Sequence, residues 1–171
     1  EIKECFRLQI QALDRTDYRI LREIQANGRI SLVDLSRRVN LTKTPCAERV
    51  KRLEKAGIIR GYFAALDPET VDAGHVVMVQ VQLSTTTAEA LEEFNTVVRQ
   101  IPEIQSCMMI AGGYDYLLKI RTRDIASYRE LLGAAISQLP HVMQTHSYVV
   151  MEVVKDEVTL AISDTTGKKE P

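Results

Sequence analysis

The stretch from Ser31 to Gly57 constrains the fold more than any other part of this chain, because it predicts two short helices joined by a tight turn. Ser31 is a typical N-cap, and Asp34, three residues later, is placed to complete a capping box. Apolar residues then recur at helical spacing, namely Leu32, Leu35 and Val39. Asn40 follows at the turn, where asparagine tolerates the positive φ that a sharp reversal requires.

The second helix is predicted to begin at Thr42 or Thr44, since either side chain can act as its N-cap. Pro45 is compatible with a first helical turn, and Gly57 is placed to end the helix. The residues expected to face inward are Cys46, Val50 and Leu53. A short turn followed by a helix with a basic outer face is typical of proteins that probe the major groove of DNA.

We therefore predict that this second helix contacts DNA. The candidate residues lie at the starts of the two helices and along the outer face of the second: Ser31, Thr42, Lys43, Thr44, Ala47, Glu48, Arg49, Lys51 and Arg52. The start of the helix is expected to meet base edges, and its later cationic side chains are expected to meet phosphates. The alternative is an ordinary helical hairpin whose lysines and arginines are solvated.

The distribution of charge favours the DNA-binding interpretation. Residues 1–66 contain 14 Lys and Arg against 8 Asp and Glu, a net charge of +6. Residues 67–171 contain 8 Lys and Arg against 15 Asp and Glu, a net charge of −7. The overall charge of −1 therefore conceals a basic front and an acidic back, which indicates a nucleic-acid partner for the basic part alone.

The composition favours a globular chain of one or two small domains, with 171 residues and a hydrophobic content of 45%. Its three cysteines are widely spaced and form no CxxC or Cys/His pattern, so we expect no metal site and no cofactor, and we favour a reducing cytoplasm. No apolar run reaches membrane-spanning length, no signal peptide is visible, and position 1 is Glu rather than an initiator Met.

We divide the chain into four segments: a DNA-binding domain at 13–60, a linker strand and connection at 61–74, a second domain at 75–155 and a tail at 156–171. In the first domain, a helix from Asp14 to Asn27 with Gly28 as its stop is expected to buttress the other two helices. Ile58 to Leu66 is rich in strand formers and is predicted to leave this domain as a strand or wing.

The second domain shows the order β-α-β-β-α-β. Strands are predicted at 75–83, 104–110, 114–122 and 142–154, and helices at 87–101 and 124–139. The fold class is therefore predicted to be α+β, with an N-terminal winged-type helix-turn-helix domain and a C-terminal ferredoxin-like βαββαβ domain. Such a sheet leaves one face open and partly apolar, which favours pairing with a second copy.

Two groups of residues resemble the Lrp/AsnC family of transcription regulators. They are Thr44-Pro45-Cys46 with Arg49-Val50, Arg52-Leu53-Glu54, Gly57 and Ile59, and Gly112-Gly113-Tyr114-Asp115-Tyr116 with Tyr148-Val149-Val150-Met151-Glu152. The resemblance covers about residues 13–155 and is closest to the leucine-responsive and proline-utilisation activator types. It implies a non-enzymatic regulator of amino-acid metabolism that binds double-stranded DNA and a small amino-acid effector such as leucine or proline. It also implies homodimers that assemble further, often into octamers.

The resemblance places the effector at a subunit interface of the second domain. The first candidates are Gly112, Gly113, Tyr114 and Asp115, and the second-rank candidates on the last strand are Thr145 and Ser147. Glycines allow backbone N–H groups to approach a carboxylate closely, and the carboxylate of Asp115 is suited to pair with an ammonium group. The alternative is that Gly-Gly is simply a hairpin turn that Asp115 caps.

Two further interpretations stay open. One is an architectural, nucleoid-type protein that wraps DNA with little sequence choice. The other follows from sirohaem decarboxylases, which resemble the same two-domain family and would make His141 and His146 functional. The basic second helix argues against an enzyme, and Cys46 and Cys107 lie in stretches that are typical of packing.

Overall fold

Three helices form the N-terminal part of the fold: α1 (Arg15–Ala26), α2 (Leu32–Arg38) and α3 (Lys43–Lys55). The computed structural model describes residues 13–163. Asp14 caps α1 in a complete capping box, because its carboxylate accepts from the Asp17 N–H and the Asp17 carboxylate accepts from the Asp14 N–H. Ser31 caps α2 as predicted, and its side chain accepts from the Asp34 N–H at 3.1 Å.

The predicted turn residues have the predicted backbone conformations. Asn40 has a φ of 57° and Gly57 a φ of 68°, both in the left-handed region. At each site the next residue donates its N–H to a carbonyl five positions earlier, Leu41 to Ser36 and Ile58 to Leu53. These bonds end α2 and α3 and fix the angle at which the chain leaves each helix.

A small apolar core holds the three helices together. It consists of Ile20 and Ile24 from α1, Leu35 and Val39 from the α2 region, and Cys46 and Leu53 from α3. Cys46 is completely buried and Leu53 is 1% exposed, so the predicted inward stripe of α3 is confirmed for these two residues. The opposite side of α3 is therefore left at the surface.

The second group of elements is a four-stranded antiparallel sheet with two helices on one face. Its elements are β1 (His75–Leu83), α4 (Ala88–Val98), β2 (Ile104–Met109), β3 (Tyr116–Thr122), α5 (Ile125–Ala134), a 3₁₀ turn (Ile136–Gln138) and β4 (Val142–Val149). The strand order is β2-β3-β1-β4, with β1 paired to both β3 and β4. This is the predicted ferredoxin-like arrangement.

Buried and partly buried residues alternate along the central strands β1 and β3, which distinguishes the two faces of the sheet. Val77, Val79 and Val81 of β1 and Leu118 and Ile120 of β3 are completely buried, and they form one core with Phe94 of α4. The intervening residues of β1, Met78, Gln80 and Gln82, are only partly buried. The sheet therefore has one face covered by helices and one face open.

The described residues divide into two units, 13–64 together with 156–163, and 65–155. The segment after residue 155 thus belongs with the three helices and not with the sheet. The Gln25 side chain donates to the Leu160 carbonyl at 2.7 Å and accepts from the Leu160 N–H at 3.0 Å. No helix among residues 13–163 is long and apolar enough to cross a membrane.

Three predicted elements were wrong in extent. Residues 58–66 form no strand, because the described part of the chain offers them no neighbouring strand with which to form a ladder. The last strand ends at Val149 and not at residue 154. Val149 lies opposite Val77, and β1 begins only two residues before Val77, at His75, so β1 offers no partner to residues 152–154. The last helix breaks at Ala135, whose φ of −125° lies outside the helical range.

Candidate DNA-binding surface and effector site

The exposed side of α3 carries most of the predicted DNA-contacting residues. Thr42 occupies the N-cap position, and the following residues Lys43, Thr44, Glu48 and Lys51 are exposed, while Ala47 is half-buried. Ser31, the N-cap of α2, is also exposed, and its hydroxyl lies 2.6 Å from a carboxylate oxygen of Asp34. This surface presents hydroxyls, a methyl group and ammonium groups to solvent, the chemistry used to contact base edges and phosphates.

Arg49 and Arg52 do not share this orientation. Their guanidinium groups point to α1, where both bind the carboxylate of Asp17, which is only 1% exposed. The Arg49 Nη1 atom lies 2.8 Å from Asp17 Oδ1 and 2.6 Å from Asp14 Oδ2, and the Arg52 Nη2 atom lies 2.6 Å from Asp17 Oδ2. The structure therefore separates two predicted phosphate contacts from the rest of the predicted set.

The electrostatics of this cluster agree with its geometry. The pKa of the Asp14 carboxyl is below its ordinary value, because hydrogen bonds from the Asp17 N–H and from Arg49 outweigh the opposing effect of partial burial. The pKa of Arg49 is raised by its hydrogen bonds to Asp14 and Asp17. Asp14 and Arg49 are therefore both charged at neutral pH.

The β2–β3 loop carries the first group of predicted effector residues. Gly112 and Gly113 are exposed, and both have φ values outside the left-handed region. A Cβ atom at Gly113 would have no neighbour within 4 Å, and one at Gly112 would meet only Ile110 at 3.6 Å. Nothing among residues 13–163 requires glycine here, so within that part of the chain the space beside the loop is open to a ligand or to a second copy.

Asp115 has a structural role at the base of the same loop. Its Oδ2 atom accepts the Leu83 N–H at 2.7 Å, its own N–H donates to the Val81 carbonyl at 3.0 Å, and its carbonyl accepts the Ile110 N–H at 2.8 Å. Among the described residues, the bond from the Leu83 N–H is the one hydrogen bond to the Asp115 carboxylate. The Oδ1 atom of that carboxylate can therefore still accept from a ligand. The predicted cap and the predicted ammonium partner are thus compatible.

The two second-rank residues on β4 have different surroundings. Thr145 of β4 lies opposite Val81 of β1, and Asp115 lies on the other side of β1. The backbones of Thr145 and Asp115 are therefore two strand spacings apart, roughly 10 Å. The Ser147 hydroxyl is 2.5 Å from the Tyr128 hydroxyl of α5, so it is already engaged in holding that helix against the sheet. The structure brings Thr145 to the same end of the sheet as Asp115, whereas the hydroxyl of Ser147 contacts α5.

A cavity of about 390 Å³ lies between α4 and the β2 edge of the sheet, and Met109 and Tyr116 line it next to the β2–β3 loop. Its remaining lining residues are Asn95, Val98, Arg99, Ile104, Gln105, Ser106 and Cys107. An amide, hydroxyls and a guanidinium around an aliphatic wall suit a small polar ligand. Sequence reasoning missed these residues, because helix and strand periodicity do not show which outer residues of α4 and β2 converge.

The sequence matches two family models along most of its length. Residues 13–60 match the winged helix-turn-helix DNA-binding model, and residues 76–160 match the Lrp/AsnC ligand binding domain. The chain belongs to the Lrp/AsnC family of transcription regulators. The predicted family and fold class are thus confirmed, although residues 58–66 form no wing strand in this chain.

Relatives of the regulator match nearly from end to end. The proline dehydrogenase transcriptional activator of Rhodobacter capsulatus is 51% identical over 145 residues, which are 85% of this chain and 94% of that protein. The leucine-responsive regulatory protein of Escherichia coli strain K12 is 49% identical over 150 residues, 88% of this chain and 92% of that protein. These relatives are regulators by name, in agreement with the predicted function.

Solved structures of this family also resemble the regulator. A transcriptional regulator from Neisseria meningitidis in complex with L-Met is 36% identical with a TM-score of 0.80, covering 87% of this chain and 96% of that one. An AsnC family regulator from Agrobacterium tumefaciens is 32% identical with a TM-score of 0.82, covering 87% and 97%. The regulator therefore combines a helix-turn-helix DNA-binding domain with a ligand-binding domain.

The cysteines and histidines considered for an enzyme do not form a common site among the described residues. Burial raises the pKa of the Cys46 and Cys107 thiols, in the second case despite the nearby Arg99, so both are poor nucleophiles at neutral pH. His141 lies 2.7 Å from Glu93, and His146 lies on β4 opposite Gln80 of β1. The two histidines therefore have separate surroundings, one at a carboxylate and one on the open sheet face.

Proposed function

We propose that this regulator binds double-stranded DNA sequence-specifically through the exposed face of α3 and responds to a small amino acid bound beside the β2–β3 loop. The separation of the two sides of α3 carries the proposal. Cys46 and Leu53 anchor the helix in its core, while Lys43, Thr44 and Lys51 remain exposed. The proposed DNA contacts are therefore Ser31, Thr42, Lys43, Thr44, Ala47, Glu48 and Lys51.

Salt-dependent DNA binding tests the first half of this proposal. Lys51→Ala removes an exposed ammonium from α3, so the slope of log K against log salt should become shallower by about 0.9. Arg129→Ala removes an exposed cation from α5 and serves as a matched control that should leave the slope unchanged. An unchanged slope in Lys51→Ala would remove α3 from the DNA interface.

A comparison of duplexes distinguishes a sequence-specific regulator from a nucleoid-type protein. The tightest-binding duplex from a random-sequence library should exceed random duplex by at least a thousandfold in affinity. Lys43→Ala should change which sequences are selected, because Lys43 lies at the start of α3, the end that meets base edges. A ratio near one, with no effect of Lys43→Ala on selection, would favour DNA wrapping.

An open glycine loop above Asp115 supports the effector half of the proposal. Backbone N–H groups at Gly112 and Gly113 suit a carboxylate, and the Oδ1 atom of Asp115 suits an ammonium group. Tyr114 lies next to them in the chain, and Thr145 lies at the same end of the sheet, two strand spacings from Asp115. One relative is by name leucine-responsive, another is by name an activator of proline dehydrogenase, and one solved structure of the family holds L-Met. We propose the same ligand class here.

A thermal-shift screen with the twenty L-amino acids identifies the effector, since a ligand that prefers the folded state raises the melting temperature. D-enantiomers serve as controls, and at a ligand concentration 100 times the Kd the stabilisation is about 2.7 kcal/mol. Gly113→Ala should keep the stability of the free protein, because its Cβ meets nothing, but reduce the shift. If no amino acid raises the melting temperature, the effector assignment is wrong.

We also propose that the regulator assembles as homodimers and further into octamers, and that it acts in the cytoplasm without enzymatic activity. Exposed apolar side chains support self-association, among them Phe63 at 86% and Leu66 at 68% exposure, and Met108 and Tyr148 on the open sheet face. Sedimentation velocity at several protein concentrations tests the assembly. A monomer at micromolar concentration would contradict it.

A further inference from the structure

We propose that Asp17 is a specificity-determining residue for DNA recognition, because it withholds Arg49 and Arg52 from the phosphate backbone and fixes the position of α3 against α1. The inference rests on the proposed DNA-binding function of α3. It changes the expected role of two arginines from phosphate contacts to positioning residues that act through a buried carboxylate.

The carboxylate of Asp17 is fully engaged within the protein. One oxygen accepts from Arg49 at 2.8 Å, and the other accepts from Arg52 at 2.6 Å and from the Asp14 N–H at 3.2 Å. With 1% exposure it has no alternative partner in water. An arginine that turned away toward DNA would leave this buried carboxylate with one guanidinium partner instead of two, so the departure of either arginine costs free energy.

The four charges of these ion pairs, all on described residues, also balance. Two guanidinium groups on α3 face two carboxylates on and before α1, because Arg49 binds Asp14 as well as Asp17. Arg49 and Arg52 are three residues apart and so lie on one flank of the helix. That flank contributes little net attraction for phosphates, and the attraction of α3 comes from its exposed lysines.

The arrangement affects specificity because phosphate contacts strengthen binding to every sequence equally. Two free arginines on α3 would add sequence-independent affinity and lower the ratio between specific and random sites. Held by Asp17, they instead bind α1 to α3 through short, directed bonds, so the base-contacting start of α3 has a fixed orientation. A planar guanidinium with two directed donors is suited to this task, and a lysine is not.

The test uses the full chain, the tightest-binding duplex from a random-sequence library, a random duplex, and salt titration. Arg52→Ala should leave the salt slope unchanged, whereas Lys51→Ala should reduce the loss of affinity between 50 and 200 mM salt by roughly threefold to fourfold. Arg52→Lys keeps the charge but should not restore the specificity that Arg52→Ala loses. If Arg52 met a phosphate, Arg52→Ala would behave like Lys51→Ala and Arg52→Lys like the wild type, which would overturn the proposal.

Asp17→Asn tests the same idea in the opposite direction. An amide accepts from fewer arginines, so the released guanidinium should raise affinity for random duplex, steepen the salt slope and lower the specificity ratio. A variant with unchanged slope and unchanged ratio would contradict the proposal. Should Asp17→Asn fold poorly, the Arg52 variants still decide the question, because Asp17 keeps Arg49 as a partner in them. Absence of DNA binding by the wild-type chain would instead refute the proposed function itself.

Discussion

Asp115 offers a test that separates a structural role from ligand binding, because two substitutions affect these roles differently. Asp115→Ala removes the acceptor of the Leu83 N–H, and Leu83 is only 5% exposed, so this donor is left unsatisfied in the interior. Asp115→Asn keeps an amide oxygen at the same place but removes the negative charge. The alanine variant should therefore lose stability, and the asparagine variant should mainly lose ligand affinity.

The magnitudes follow from the nature of the bond. A hydrogen bond to a charged acceptor contributes about 1.5–3 kcal/mol, and a buried unsatisfied donor costs about 1–3 kcal/mol. We expect Asp115→Ala to lower the free energy of unfolding by about 2 kcal/mol and Asp115→Asn by less than about 1 kcal/mol. Asp115→Asn should weaken binding of the amino acid by roughly tenfold or more, since its ammonium group loses a charged partner.

Urea denaturation without ligand measures the first difference, and calorimetric titration with the best amino acid from the thermal-shift screen measures the second. An Asp115→Ala variant as stable as the wild type would show that the 2.7 Å bond to Leu83 contributes nothing. Normal affinity in Asp115→Asn would remove Asp115 from the effector site, whatever its effect on stability.

Three further substitutions test the fold. Leu53→Ala, at a site that is 1% exposed, should destabilise the three-helix unit by about 2–5 kcal/mol in urea denaturation, and a loss below 1 kcal/mol would contradict the core assignment. Gly57→Ala should cost about 1–2 kcal/mol by the same measurement, purely from the backbone φ of 68°, because its Cβ meets no atom within 4 Å. Hydrogen bonds from Ser127 hold the pKa of Asp124 at about 2, below its ordinary 3.8, so the stability it adds is present above pH 4 and lost as pH falls toward 2. Urea denaturation at pH 6 and pH 3 should show a smaller loss on acidification in Asp124→Ala than in the wild type, and equal losses would contradict this role for the carboxylate.

Local chemistry made much of the fold predictable. Asn40 and Gly57 are residues that tolerate positive φ, and each stands directly after an apolar helical pattern, so the ends of α2 and α3 could be placed from the sequence. Alternation along β1 gave its buried face in the same way. The extents of residues 58–66 and of β4 could not be placed, because the length of a strand is limited by the neighbour with which it pairs, and that neighbour is distant in sequence.

The candidate sites were harder to predict than the fold, since the sequence shows which side chains are polar but not which are already engaged. Arg49, Lys51 and Arg52 look equivalent in a basic stretch, yet a rotation of about 100° per residue directs the two arginines to α1 and the lysine to solvent. Their partner Asp17 lies more than thirty residues earlier in the chain, so the sequence does not show that its charge is paired with these arginines. Ser147 differs from Thr145 for a similar reason, because the hydroxyl of Ser147 is hydrogen-bonded to Tyr128 of α5, which is distant in sequence.

The buried carboxylate therefore decides how the basic character of the first 66 residues should be understood. A net charge of +6 by itself predicts affinity for any DNA, and affinity of that kind opposes selection among sites. In the structure, part of that charge is paired with Asp14 and Asp17, and single ammonium groups remain on the face of α3 that we propose as the DNA-binding surface. On this reasoning the capacity of the regulator to choose between sequences depends as much on the arginines that are kept from DNA as on the lysines that reach it. Charge counts alone cannot make that distinction, whereas the salt slopes of Arg52→Ala and Lys51→Ala can.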